Sequence, residues 1–265
     1  MPHHVTSTSY FSILSNLKEG ALIWNILILF DCYYRSSTIF DRSPSLEERK
    51  LAMLLCPSMM CADYGNLRSE VQALDAAGAD VFHCDVMDGS FVPNIAMGLM
   101  DIKAVRSATN KPVDCHLMIE EPSRSINLFL DAGVDLIYIH PESERYCIKT
   151  LAAIRDGGAK AGIAINPDTS IASVEELLNE VDYVMVMTVN PGFAGQAFIE
   201  FTKDKIARLA ALKERYGFTL TVDGACSPER IKALSSIGAD GFILGTSALF
   251  GRGDYAQSIN QLRSL

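Results

Sequence analysis

One junction recurs along the chain: DAAGADVFHCD at 75–85, DAGVDLIYIH at 131–140 and SIGADGFILG at 236–245. Each has a glycine where a helix would stop, then one residue and an aspartate, then a strand-like apolar run. Helices that stop on glycine and feed strands, again and again, are the pattern of βα units on a parallel sheet. Gly78 and Gly133 stand two repeat lengths apart and Gly133 and Gly238 about four, if one unit takes roughly 25 to 28 residues. Eight units then fit between Met53 and Leu265, with strands beginning near Leu54, Val81, Val113, Leu136, Ala161, Tyr183, Thr219 and Gly241 and helices between them. The expected fold is α/β, a single (β/α)8 TIM barrel over residues 53–265. An open doubly wound sheet is the alternative, but no Gly-x-Gly-x-x-Gly follows the first strand.

Residues 1–52 lack the βα rhythm and are read as an atypical N-terminal extension. Their apolar run ALIWNILILF is too short to span a bilayer. A signal peptide would need a more basic start and a small-residue cleavage pattern than this stretch offers. LEERKLAM places Met53 directly before the first strand, so translation from Met53 is the expectation, checked by mass spectrometry of the native N-terminus.

A net charge of −9 argues against nucleic-acid or anionic-membrane surfaces, which need clustered Lys and Arg. An anionic ligand would have to be held by local backbone groups. Seven cysteines, an odd number with no C-x-x-C spacing, suit reduced thiols in a cytoplasm.

In a barrel, polar residues at the C-terminal ends of strands read as chemistry. Three of the five histidines, His83, His116 and His140, fall at such ends. Strand alternation puts His83 and Asp85 on one face and Asp114, His116 and Met118 on another inward face, leaving Cys84 and Cys115 toward the helices. TLTVDG brings Asp223 to the end of its strand, across the barrel mouth from Asp85. Singly, each reads equally well as a core histidine or a turn-capping aspartate. Together, two imidazoles and two carboxylates suit one divalent metal.

Three loops after the last strands are suited to an anion. MTVNPGFAGQAF carries Gly192 and Gly195, VDGACS follows Asp223, and LGTSALF places Ser247 before an expected short helix. Loops at this end of many barrels hold phosphate. Three ordinary tight turns would be the plainer explanation.

CPSMM, HCDVMDGSFVPN, DCHLM, VMTVNPGFAGQAF, VDG and GTSALF, in this order, resemble the ribulose-phosphate 3-epimerase family from about Met53 to the C-terminus. The resemblance implies a metal-dependent isomerase that inverts C3 of a small phosphorylated ketose through an enediolate, with Asp85 and Asp223 as opposed acid-base groups. It implies one divalent ion (Zn, Mn, Co, Fe or Mg) on His83, Asp85, His116 and Asp223. It also implies substrate contacts from Ser58, His116, Gly192, Phe193, Ala194, Gly195, Asp223, Gly224, Ala225, Gly245, Thr246 and Ser247, a lining of Met87, Met118 and Met187, and a homo-oligomer. Ala194, Ala225-Cys226 and Pro141 depart from the common pattern and look more like D-allulose-6-phosphate 3-epimerase, so D-allulose 6-phosphate is the favoured substrate here and D-ribulose 5-phosphate the alternative. A phosphosugar decarboxylase would carry Lys where DVMDG has none, and a non-catalytic phosphosugar-binding barrel is the reading from another class.

Overall fold

The branched apolar runs become strands within one residue of each expected start. The computed structural model describes residues 53–265. Its parallel strands are β1 (Leu54–Pro57), β2 (Phe82–Asp88), β4 (Val113–Met118), β5 (Leu136–Ile139), β6 (Lys160–Ile165), β7 (Tyr183–Met187), β8 (Thr219–Asp223) and β9 (Gly241–Leu244). β3 (Ile95–Ala96) is a two-residue antiparallel addition to β2. Strand order is β1-β9-β8-β7-β6-β5-β4-β2-β3, and a parallel bridge between Ser58 and His83 brings β1 back beside β2. The helices are α1 (Leu67–Ala77), α2 (Leu99–Arg106), α3 (Ile126–Asp131), α4 (Cys147–Asp156), α5 (Thr202–Tyr216), α6 (Pro228–Ser236) and α7 (Tyr255–Arg263). The expectations placed on residues 1–52 lie outside the described residues. Among the described residues no helix is long and apolar enough to cross a membrane, and the six cysteines are unpaired.

Two local expectations are corrected. The β6–β7 connection holds 3-10 turns at Ile171–Ser173 and Glu175–Glu180, not an α-helix, because Val174 between them sits at φ −121 and interrupts the helical dihedrals. The short helix after Ser247 does not form. The amides of Ala248, Leu249 and Phe250 all converge on the Gly245 carbonyl in a single turn, and Gly251 at φ 73 unwinds the chain beyond it.

Alternation sorts the side chains. Leu55, Phe82, Cys84, Cys115 and Ile137 face outward into the apolar layer under the helices and are fully buried or nearly so. Inside the barrel, Tyr138 is the largest buried side chain and puts its hydroxyl 3.2 Å from Thr221 Oγ1. Gly162 makes room for it, since a Cβ there would lie 2.6 Å from the ring.

The recurring aspartates explain the repeat. Gly78, Gly133 and Gly238 all take positive φ as the helices end. The next aspartate then reaches back to the foot of the preceding strand. Asp80 accepts from the Leu55 amide (2.8 Å), Asp135 from Val113 (2.9 Å) and Asp240 from Leu220 (2.8 Å). Asp182 does the same for Ala161 (2.9 Å) without a preceding glycine. Each is neutralised by a cation: Arg263, Arg106, Lys213 and Lys160 respectively. These clamps fix strand register at the end of the barrel away from the site. Asp240→Ala should therefore lower unfolding free energy by about 1–3 kcal/mol, the cost of leaving a buried donor unpaired. Urea denaturation should detect this while catalytic constants, measured on the folded protein, stay unchanged.

Candidate active site

β2 ends with three inward residues in sequence, and its register with β4 pairs His83 with Asp114, Asp85 with His116, and Met87 with Met118. The polar pairs therefore sit one layer beneath the methionines. Asp85 is the hub. Its Oδ1 lies 3.2 Å from His83 Nε2 and 3.1 Å from His116 Nδ1, and its Oδ2 accepts from Ser58 Oγ at 2.7 Å. From β8, Asp223 brings Oδ2 to 3.7 Å from His116 Nδ1.

Ligand atoms from His83, Asp85, His116 and Asp223 all fall within 4.8 Å of one another. Ligands about 2.1 Å from a tetrahedral ion stand roughly 3.4 Å apart, so these spacings fit a single cation. The donors are two imidazole nitrogens and two carboxylates, with no thiolate among them. Behind His83, Asp114 lies 2.6 Å from Nδ1, which puts the ring proton there and leaves Nε2 free to ligate.

The charges at this spot oppose one another. Burial and the Asp85 charge push Asp223 up to about 6. Burial works against ionised Asp85 too, but the His83 charge and hydrogen bonds from His116 and His83 hold it far below the usual carboxylate range. Burial likewise opposes charged His83, yet Asp114 and Asp85 raise it well above an ordinary histidine. His140 is pushed down to about 4 by burial and is neutral.

Above the cluster opens a pocket of about 570 Å³, continuous with solvent. Asp85, Asp223, Ser58 and the three predicted methionines line its floor, and Gly192 to Gly195, Gly224, Ala225, Gly245, Thr246 and Ser247 its rim. Of the predicted site residues, only His83 and His116 lie outside the lining, fully buried beneath it. Gly192 (φ 121), Gly195 (φ 80) and Gly224 (φ 113) all require left-handed backbone, and Ala225 adopts it as well (φ 48). A Cβ on Gly224 would come within 2.9 Å of the Val189 amide. The amides of Gly224, Ala225 and Ser247 make no backbone–backbone hydrogen bond among the described residues. Among the described residues no Lys or Arg lines the pocket, so backbone amides and the Thr246 and Ser247 hydroxyls are what it offers an anion.

Several participants were not singled out from sequence. Asn94 donates to the Gly192 carbonyl (2.7 Å) and ties the β2 loop to the glycine loop. Gln196 bridges the Asn190 and Phe193 carbonyls across the base of that loop. Met60 and Cys61 add to the lining. The FVPN and GFAGQ stretches contain Asn94 and Gln196, but only the fold brings them together.

Residues 54–250 match the family model described as the Ribulose-phosphate 3 epimerase family. The chain is 39% identical over 212 residues to ribulose-phosphate 3-epimerase of Bacillus subtilis (strain 168), covering 79% of this chain and 97% of that protein. It is 38% identical over 214 residues to the ribulose-phosphate 3-epimerase of Escherichia coli (strain K12), covering 80% and 95%. Chloroplastic ribulose-5-phosphate-3-epimerase of Arabidopsis thaliana is 38% identical over 219 residues, covering 81% and 78%. Among solved structures, a 3-hexulose-6-phosphate synthase superposes with TM-score 0.55 at 19% identity, over 80% of this chain and 99% of that one. Phosphoribosyl anthranilate isomerase from Thermus thermophilus gives 0.57 at 12%, over 80% and 97%. These two likenesses concern the barrel fold alone.

Proposed function

Because this chain belongs to the ribulose-phosphate 3-epimerase family, we propose that it inverts C3 of a phosphorylated ketose with Asp85 and Asp223 as paired acid-base groups. The observation that carries the proposal is the convergence of these carboxylates, from strands on different sides of the barrel, on one point at the pocket floor. A single carboxylate that removed the C3 proton and returned it to the same face would restore the starting epimer. Two, on opposite faces of C3, allow one to take the proton and the other to deliver one, and they exchange roles in the reverse reaction.

Ser58 fixes the Asp85 carboxylate by donating to Oδ2, and Met87, Met118 and Met187 surround the reacting carbons with apolar surface that excludes water. The amides of Gly224, Ala225 and Ser247, which no backbone carbonyl engages among the described residues, are proposed to hold the phosphate. A divalent cation on His83, Asp85, His116 and Asp223 supplies stabilisation of the negative charge that develops on the C2 oxygen. Two imidazoles among four ligands favour a first-row transition ion over Mg. Residues 53–265 are proposed as the catalytic unit, acting in the cytoplasm as a homo-oligomer.

D-Ribulose 5-phosphate is the substrate we place first, since the bacterial relatives are named ribulose-phosphate 3-epimerase and the Arabidopsis relative ribulose-5-phosphate-3-epimerase. The hexulose phosphate favoured from sequence is kept as a second reading, because Ala194, Ala225 and Cys226 all line the pocket among the proposed phosphate loops. The two sugars differ by one CHOH before the phosphate. Metal-loaded enzyme should therefore show the higher kcat/KM on D-ribulose 5-phosphate. A higher value on D-allulose 6-phosphate would reverse the substrate assignment and leave the chemistry intact, whereas turnover of neither would remove the proposal.

A further inference from the structure

We infer that His140 and Glu142 form a relay that decides which nitrogen of His116 is free to bind a metal ion, which makes both of them positioning residues for the site. The inference rests on His116 acting as a ligand, as proposed above. His116 turns Nδ1 toward Asp85 and Asp223 (3.1 and 3.7 Å) and its other nitrogen, Nε2, toward His140 Nε2 at 2.8 Å. Two ring nitrogens that close share one proton, so one ring donates and the other accepts. Both rings are fully buried, and no water can compensate for a wrong choice.

Glu142 decides the direction. Its Oε2 lies 3.4 Å from His140 Nδ1, while its Oε1 is anchored by the Asn166 amide at 2.9 Å and by the Thr169 hydroxyl. His140 Nδ1 has no hydrogen-bond partner among the described residues, and this carboxylate is the charge it faces. If His140 carried its proton on Nε2, it would present a lone pair to the Glu142 carboxylate. With the proton on Nδ1 instead, the interaction is attractive, and His140 Nε2 is left as an acceptor. His116 must then donate from Nε2, which leaves Nδ1, on the side of Asp85 and Asp223, as the nitrogen that would pass from Asp85 to a metal ion. His83 reaches the same state through direct contact with Asp114. Each ligand imidazole is thus backed by a carboxylate, one directly and one through a second imidazole. The Phe91 ring packs on His140 at 4.8 Å between centroids and covers the relay.

The test uses the full chain stripped of metal and titrated with Co2+ alone, its dissociation constant read from d–d absorption in competition with a chelator. Glu142→Gln and His140→Phe should each weaken Co2+ binding by roughly 10–100-fold, the range for such supporting partners. The double variant should bind no worse than His140→Phe alone, because Glu142 acts only through His140. His140→Gln, whose amide oxygen can still accept from His116 Nε2, should recover part of the loss. Wild-type affinity in Glu142→Gln, or losses that add in the double variant, would overturn the relay. His116→Ala separates the two claims. Lost Co2+ binding there with Glu142→Gln unaffected overturns the relay alone, and wild-type affinity there overturns the ligand assignment beneath it.

Discussion

Asp223→Asn is expected to fold normally and to lose epimerisation by roughly 10²–10⁴-fold in kcat, the range for removing a positioned acid-base group. The substitution preserves shape, and the amide oxygen can still face His116, but it can neither take nor deliver a proton. The loss should be one-sided. Asp85, still braced by Ser58 and both imidazoles, can remove the C3 proton of the epimer that presents it on that face. In deuterium oxide, one epimer should therefore exchange its C3 hydrogen with solvent in Asp223→Asn while the other does not. Asp85→Asn should show the opposite preference with a deeper loss, because Asp85 is also the hub of the cluster. Near-wild-type turnover in either variant, or equal exchange of both epimers, would contradict the two-base assignment.

Removing divalent ions should abolish turnover, and Mn, Co, Zn or Fe should restore it, because among the described residues no Lys or Arg lines the pocket to offset the negative charge that develops on the C2 oxygen. The affinity should depend on pH with a defined sign. A cation has to displace protons from Asp223, pushed up to about 6, and from His83, which is raised well above an ordinary histidine. The His83 proton is displaced on either side of pH 6, and the Asp223 proton only below it. Binding should therefore weaken as pH falls, by roughly tenfold per pH unit for each displaced proton, and more steeply below about 6. Competition titrations with Co2+ on either side of pH 6 measure this directly. An affinity that rises as pH falls would contradict the ligand set.

The barrel was legible because its repeat is chemical as well as periodic. Gly78, Gly133 and Gly238 end helices with positive φ, and the aspartate two residues later clamps the preceding strand. Asp182 performs the same task from NEVDYV, where no glycine announces it. In the β6–β7 connection Ile171, Val174 and Leu178 stand at helical spacing, yet Val174 breaks the dihedrals between two 3-10 turns that still bury those residues. In the site, alternation alone placed His83, Asp85, His116 and Asp223 on inward faces, since a strand leaves each side chain only two directions. What alternation could not supply was pairing across the chain. The contact from His116 to His140 spans 24 residues and follows from the pairing of β4 with β5, whereas that from Asn94 to Gly192 spans 98 and joins the loops of strands that are not neighbours in the sheet.

The central claim is that C3 is inverted by removing a proton on one face and adding a solvent-derived one on the other. Its most direct test is the isotope at C3 of the product after a single turnover of metal-loaded enzyme in deuterium oxide. The account predicts product carrying deuterium at C3 in essentially every molecule. Epimerised product that keeps its original C3 hydrogen would contradict it.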